Sequence, residues 1–213
     1  MSVSDKVLVI ACGAIAREIL AVATLNQWDH LEVQALPAGL HNRPEKIPNA
    51  MREKIEANLG LYDRIICGYA DCGTGGLLDV VLNEFGIERL PGAHCYSFFA
   101  GHSEFADLAE KELGTFYLTD YLARQFETLI IKGMGIDRHP ELRDMYFQHY
   151  TRLVYLAQTD DANLQEKARA AAKRLGLAYE YRYTGLMPFD GDMKALMTSE
   201  TDTDGKSDHR LLA

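Results

Sequence analysis

Four cysteines and seven histidines are the side chains of this sequence best suited to chemistry. Thiolates hold zinc, copper(I) or iron–sulfur clusters, and imidazole suits zinc, so three cysteines and one histidine make a recognised tetrahedral zinc set. Cys12 follows the apolar run KVLVIA, His41 follows LEVQAL, Cys72 follows YDRIICGYA, and His94 and Cys95 follow IERLPGA. No CxxC knuckle is present, so the expectation of a metal site at Cys12, His41, Cys72 and Cys95 rests on placement after apolar runs and not on a linear motif. Cys67 lies inside IICGY, where strand alternation would bury it, and is read as core.

A second set of candidates surrounds Cys72. In YADCGTGG the small residues Gly73, Thr74, Gly75 and Gly76 join a strand to a helix, and backbone N–H groups there can cradle a phosphate or carboxylate, or tune a metal-bound thiolate. The same glycines equally serve a tight strand–helix turn. Asp71 is the candidate general base or partner of Cys72, with solvation in a turn as the plain alternative. His94 and Tyr96 are candidate ligand-binding residues. The cluster Tyr96, Phe98 and Phe99 offers either a wall for a planar ligand or core packing. His30, His102, His139 and His149 are read as surface or helix residues. ACGAIA lacks the full G-x-G-x-x-G, and LEVQALP does not end in the acidic residue that holds a ribose, which argues against a dinucleotide. There is no G-x-S-x-G elbow, P-loop lysine or H-E-x-x-H.

Positioning these residues falls to a run of strand–helix units. Strands are expected at Lys6 to Ala11, Leu31 to Leu36, Tyr62 to Ala70 and, weakly, in IERLPGA. Helices are expected from about Ala14 to Asn26, in IPNAMREKIEANL with Pro48 in its first turn, and in LLDVVLNEFG closed by Gly86. GTFYLTD, YLARQFETLIIKG, a helix from about Pro140 to Tyr150, RLVYLAQ, DANLQEKARAAAKRLG and AYEYRYT follow. This alternation implies a layered, three-layer α/β fold, Rossmann-like, with a mostly parallel sheet. Residues 1–197 form one domain, with possible lobes 1–112 and 113–197, and the later units either extend the first sheet or build a second lobe. Residues 198–213 are polar, without period, and are expected to be disordered.

Ligands of open parallel sheets bind outside the carboxyl ends of the strands, so Cys12, His41, Cys72 and Cys95 all fall on the functional edge. The 213 residues, 47% hydrophobic and 25% charged, are globular in composition. A net charge of -9 argues against a general nucleic-acid or anionic-membrane binder. No signal peptide or membrane span is read, which gives the expectation of a cytoplasmic protein with reduced thiols.

Taken together, ACGAIAREI, LPAGLHNRPEKIP, YADCGTGG, PGAHCYSFFAG and GTFYLTD resemble the family known as domain of unknown function 1638, over about residues 6 to 185. That resemblance implies a link to methyl-group metabolism, because members occur in anaerobic and C1-metabolising organisms, often near corrinoid-dependent methyltransferase genes. It names no catalyst. Three functions stand open: a zinc protein with a Cys/His site, enzymatic or structural; an iron–sulfur protein using the same cysteines; or a non-catalytic accessory that binds a corrinoid or methyltransferase protein, or a small molecule.

Overall fold

The apolar run VLVIAC forms strand β1 (Val7–Cys12), buried on both faces as the central strand of a parallel sheet must be. It pairs in parallel with β2 (Leu31–Leu36) on one side and β3 (Arg64–Gly68) on the other. In this computed structural model, residues 5–199 are described. The expected tail therefore lies almost wholly outside the described residues.

Alternation along β1 splits the first core in two. Val7, Val9 and Ala11 face helix α1 (Ala16–Leu25), while Leu8 and Ile10 face α2 (Ile47–Glu56) and α3 (Leu77–Phe85). Pro48 sits in the first turn of α2, as expected, where its missing N–H costs nothing. A left-handed Gly86 closes α3. The sheet closes around Gly68, where a Cβ would stand 2.9 Å from the Cβ of Ala11 and 3.1 Å from Ile19 Cδ1.

IERLPGA only partly behaves as the expected fourth strand. It runs beside β3, with Cys67 N–H donating to Glu88 O and Leu90 N–H to Cys67 O, but it registers as a single parallel bridge between Cys67 and Arg89. Pro91 has no N–H to extend a ladder. The chain then forms α4 (Tyr96–Ala100) and α5 (His102–Lys111) before opening a second sheet.

That second sheet settles the open alternative in favour of two sheets. It is parallel, ordered β4-β5-β6, and made of β4 (Thr115–Leu118), β5 (Arg152–Ala157) and β6 (Ala178–Tyr183). On one face pack α6 (Asp120–Phe126), which continues as a π-helical stretch Glu127–Lys132, then α7 (Glu141–Phe147) and α8 (Ala162–Leu175). Tyr117, Val154 and Leu156 face α4 and α5 on the other. Asp161 caps α8 by accepting from Asn163 N–H at 2.9 Å and Leu164 N–H at 3.2 Å.

The last helix, α9 (Met187–Thr198), returns to the first sheet. Phe189, Met193 and Leu196 complete the core beside α1 and α4, and Phe98 and Phe99 pack against Phe189 with ring centroids 5.8 and 5.5 Å away. Arg64 receives the end of α9, donating to Leu196 O at 2.7 Å and Met197 O at 2.9 Å. A guanidinium suits a helix C-terminus, where carbonyls lack backbone donors.

Candidate functional site

The strand order β2-β1-β3 makes the chain leave β1 towards one face of the sheet and β3 towards the other, which opens a crevice between their carboxyl ends. Cys12 ends β1 at this crevice. The turn after it lies hard against β2: Gly13 N–H donates to Leu36 O at 3.0 Å, and a Cβ on Gly13 would stand 3.0 Å from that oxygen. His41 arrives on a single 3-10 turn, Ala38–Asn42, between β2 and α2. Cys72 follows β3 in the left-handed region, with φ at +51°. Its N–H donates to Ala93 O at 2.8 Å, and Asp71 N–H donates to Gly92 O at 3.2 Å, so the segment carrying Cys95 is laid alongside.

These placements bring all four expected ligands onto one largely enclosed cavity of about 20 Å³, lined by Cys12, His41, Cys72 and Cys95. Tyr69 and Ile15 also line it, and the second sheet closes it with Thr119 and Leu122 from the turn between β4 and α6. A space of that size takes roughly one water molecule or one ion. Among the described residues, no group of three or more His, Cys, Asp or Glu side chains is arranged to hold a metal ion as the side chains stand.

The cavity is lined mostly by apolar atoms and thiols, and its thiols feel one another. Burial raises the Cys12 pKa, against a smaller opposing effect from Ala14 N–H, which donates to Sγ at 3.5 Å. Burial, then the neighbouring Cys12, pushes Cys72 up to about 12. Cys95 is raised well above the usual thiol value by burial and then by Cys72 and Cys12. Desolvation, then the nearby His94, lowers the pKa of the His41 imidazole, although the residue as a whole is exposed. Three neutral thiols and a neutral imidazole are the form this cavity favours without a cation. Cys67 lies apart in the core between β3 and α3, fully buried.

The remaining candidates are distributed differently. Asp71, Gly73, Thr74, Gly75 and Gly76 line neither this cavity nor the cleft beside it. The Asp71 carboxylate instead accepts from Thr74 Oγ1 at 2.7 Å, Gly76 N–H at 2.8 Å and Gly75 N–H at 3.2 Å. Two of the backbone donors expected to cradle a ligand are thus taken by the loop's own carboxylate. His94 turns away from Cys95 and, with Tyr96, lines an open cleft of about 400 Å³ that shares His41 and Cys72 with the cavity. Phe98 and Phe99 are core, so of the aromatic cluster only Tyr96 reaches a ligand space.

Sequence reasoning did not single out Tyr69, Thr119 or Leu122. Thr119 had a signal, because Thr directly after an apolar strand and before a helical pattern marks an N-cap; its Oγ1 accepts from Leu122 N–H at 3.4 Å. Asp120 beside it is fully buried and joins the ends of β4 and β5. It accepts from Tyr155 Oη at 2.7 Å, from Gln158 N–H and Thr159 N–H at 3.1 Å each, and from Thr159 Oγ1 at 2.5 Å. The cavity wall contributed by the second sheet is fixed by this carboxylate.

Fold and site together define a two-sheet α/β protein with a thiol-lined cavity at its strand ends. The family described as "Protein of unknown function (DUF1638)" matches residues 35–190, and the chain belongs to that family. The matched span takes in His41, Cys72 and Cys95 and begins after Cys12. No curated protein and no solved structure matches. Among the described residues, no helix is long and apolar enough to cross a membrane.

Proposed function

We propose that this protein binds a single metal ion, zinc, through Cys12, Cys72, Cys95 and His41. The observation that carries the reading is that three thiols and one imidazole from four separate segments, the end of β1 and three loops, line one cavity of about 20 Å³. Binding requires these side chains to rotate inward from their present positions, since they do not yet form a ligand group. The donor set is soft and matches zinc better than magnesium or calcium, which take oxygen ligands.

Held by all four side chains, zinc would be a closed, structural site; held by the three cysteines alone, it would keep one position for a substrate thiolate and supply Lewis acidity there. That chemistry is compatible with the methyl-group metabolism implied by the family resemblance. The residues do the rest: Cys12 and Cys72 approach from the switch point of the first sheet, Cys95 and His41 close from its flanks, and Leu122 and Thr119 keep out water. Asp71 shapes the loop that presents Cys72. The space favours a single ion over an iron–sulfur cluster, which has several metal atoms and bridging sulfides to accommodate.

Metal analysis of protein purified with and without air tests the proposal. About one equivalent of zinc per chain is expected, with loss in the Cys72→Ser, Cys95→Ser double variant. Cobalt(II) added to stripped protein is expected to give thiolate-to-cobalt charge-transfer absorption that the double variant lacks. No metal in either preparation, together with no such absorption, overturns the reading.

A further inference from the structure

The open cleft beside the thiol cavity has a composition of its own. It is lined by His41, His94 and Cys72 on the side of the first sheet, and by aromatic rings around β4 on the other. The rings come in two groups on opposite faces of that strand. Tyr117 packs with Tyr96 and Phe105, at centroid distances of 5.4 and 5.1 Å, while Phe116 packs with Phe147 and Tyr150 at 5.2 and 6.0 Å. Among the described residues, no Lys, Arg, Asp or Glu lines the cleft.

Among the described residues β4 is an edge strand, and its free edge adds backbone polar groups to the hydroxyls of Tyr96, Tyr117 and Tyr150. Gly114 O accepts from Thr151 N–H at 2.8 Å, which turns Gly114 towards β5. Alternation along a parallel strand then turns Phe116 and Leu118 the same way and leaves the backbone N–H and C=O of Thr115 and Tyr117 facing outward. Both residues line the cleft. A volume of about 400 Å³ falls within the range of small-molecule sites, and four residues of edge are short for pairing with a peptide strand.

We propose that this cleft binds a small, flat, uncharged aromatic or heteroaromatic molecule, seated between the two ring groups along the edge of β4, with its polar end towards His41 and Cys72. Planar rings meet ring edges and faces favourably, whereas a charged ligand finds no countercharge here. The two shared residues make the cleft the approach to the thiol cavity, so this ligand is the substrate class for the metal site; that last step rests on the reading given above, while binding itself does not.

The test uses the full chain and 2-naphthol as the probe, with its saturated counterpart decahydro-2-naphthol and the anion 2-naphthoate as controls. Calorimetry is expected to show 2-naphthol binding one to one, with both controls at least about tenfold weaker. Phe116→Leu is expected to weaken it several-fold. As a readout independent of that variant's folding, the ring signals of His41 and His94 shift on titration while those of His30 and His139 stay still. The Cys12→Ser, Cys95→Ser variant, altered in the thiol cavity and not in the lining of the cleft, separates the two readings: it is expected to lose zinc and to retain binding of 2-naphthol. Absence of one-to-one binding, equal binding of the saturated alcohol, or unmoved His41 and His94 signals overturns the proposal, whatever the metal content.

Discussion

The two sheets reach the same cavity by different physical means. The first is held by apolar packing on both faces: Val7, Val9 and Ala11 on one side and Leu8 and Ile10 on the other are all at most 5% exposed. It supplies every thiol, and it is completed by α9 from the far end of the chain. The second has an apolar core on its helical face, but at its carboxyl end it relies on a buried carboxylate, Asp120, that ties the end of β4 to the end of β5. The contrast separates supply from support: reactive side chains come from a wall that packing makes rigid, and the opposing wall is positioned by hydrogen bonds. Trp28, the only tryptophan, packs against the first core and so reports on one half alone.

The strongest challenge to this contrast is Phe189→Ala. If α9 belongs to the first core, removing a fully buried ring that meets Phe98 and Phe99 costs about 3–5 kcal/mol. Urea unfolding followed by Trp28 fluorescence should shift by that amount. A loss seen in far-UV circular dichroism while the Trp28 transition stays in place would assign α9 elsewhere.

Asp120→Ala attacks the other half. It leaves the Tyr155 hydroxyl and the N–H groups of Gln158 and Thr159 without their acceptor in a buried setting, for a loss of about 3 kcal/mol or more. Asp120→Asn should recover little, because its amide N–H₂ would face donors. Circular dichroism should register the loss before Trp28 fluorescence does; coincident transitions would show that the halves unfold as one unit and weaken the distinction.

Gly68→Ala sharpens the claim that the first sheet is packed without slack. The added carbon meets Ala11 Cβ at 2.9 Å and Val9 Cγ1 and Ile19 Cδ1 at 3.1 Å, all in the sheet's own core. A cost of about 1–3 kcal/mol in the Trp28 transition is expected. A neutral result would mean that β1 and α1 can shift, and with them Cys12.

Much of this arrangement could be read from residues, for reasons that also explain what could not. Apolar runs separated by amphipathic stretches identify βα units, and the rule that ligands gather at carboxyl ends put Cys12, His41, Cys72 and Cys95 on one edge. Periodicity carries no information about which strands pair, so one extended sheet and a second lobe from residue 113 stood as alternatives; IERLPGA, with Pro91, makes only a bridge, and the second sheet opens with Thr115. Leu122 closes the cavity from the second sheet, a contact across the chain that no local pattern announces. The donors of Gly75 and Gly76 looked available because a sequence does not show that Asp71 folds back onto them. Helix α9 went unread because Gly191 interrupts a segment whose burial depends on α1 and Arg64.

Asp79 and Arg89 test how the Cys95 segment is held to α3. Arg89 Nε donates to Asp79 Oδ1 at 2.5 Å and Nη2 to Oδ2 at 3.0 Å, while Nη1 reaches Leu90 O at 2.8 Å. The hydrogen bond to Arg89 lowers the Asp79 pKa below its ordinary value, against an opposing effect of burial. A carboxyl whose pKa falls on folding contributes stability above its unfolded value, near about 4, and that contribution is lost as pH falls through the folded value. Asp79 is close to half exposed, so the effect is small, up to about 1 kcal/mol. Asp79→Asn should flatten the acid limb of the stability curve by that amount and leave pH 7 to 8 parallel to the parent; an unchanged acid limb would show that the pair contributes nothing.

The smallest change bears on how the two halves meet. Asn42, next to His41, donates through Nδ2 to Leu129 O at 2.8 Å, across from the first half to the second. That carbonyl needs a side-chain donor because of the π-helical stretch: Gly133 N–H bonds to Thr128 O and Met134 N–H to Ile130 O, so Leu129 O is passed over. A π segment at this position therefore creates the acceptor that holds the 3-10 turn carrying His41. Asn42→Ala removes one hydrogen bond at an exposed position, about 0.5–1 kcal/mol, too little to shift either unfolding transition far. Its effect should appear instead as faster amide exchange in residues 38–42, and in weaker zinc retention if His41 is a ligand. Unchanged exchange in that turn would show that the β2–α2 connection holds itself, and that the second half contributes only a wall.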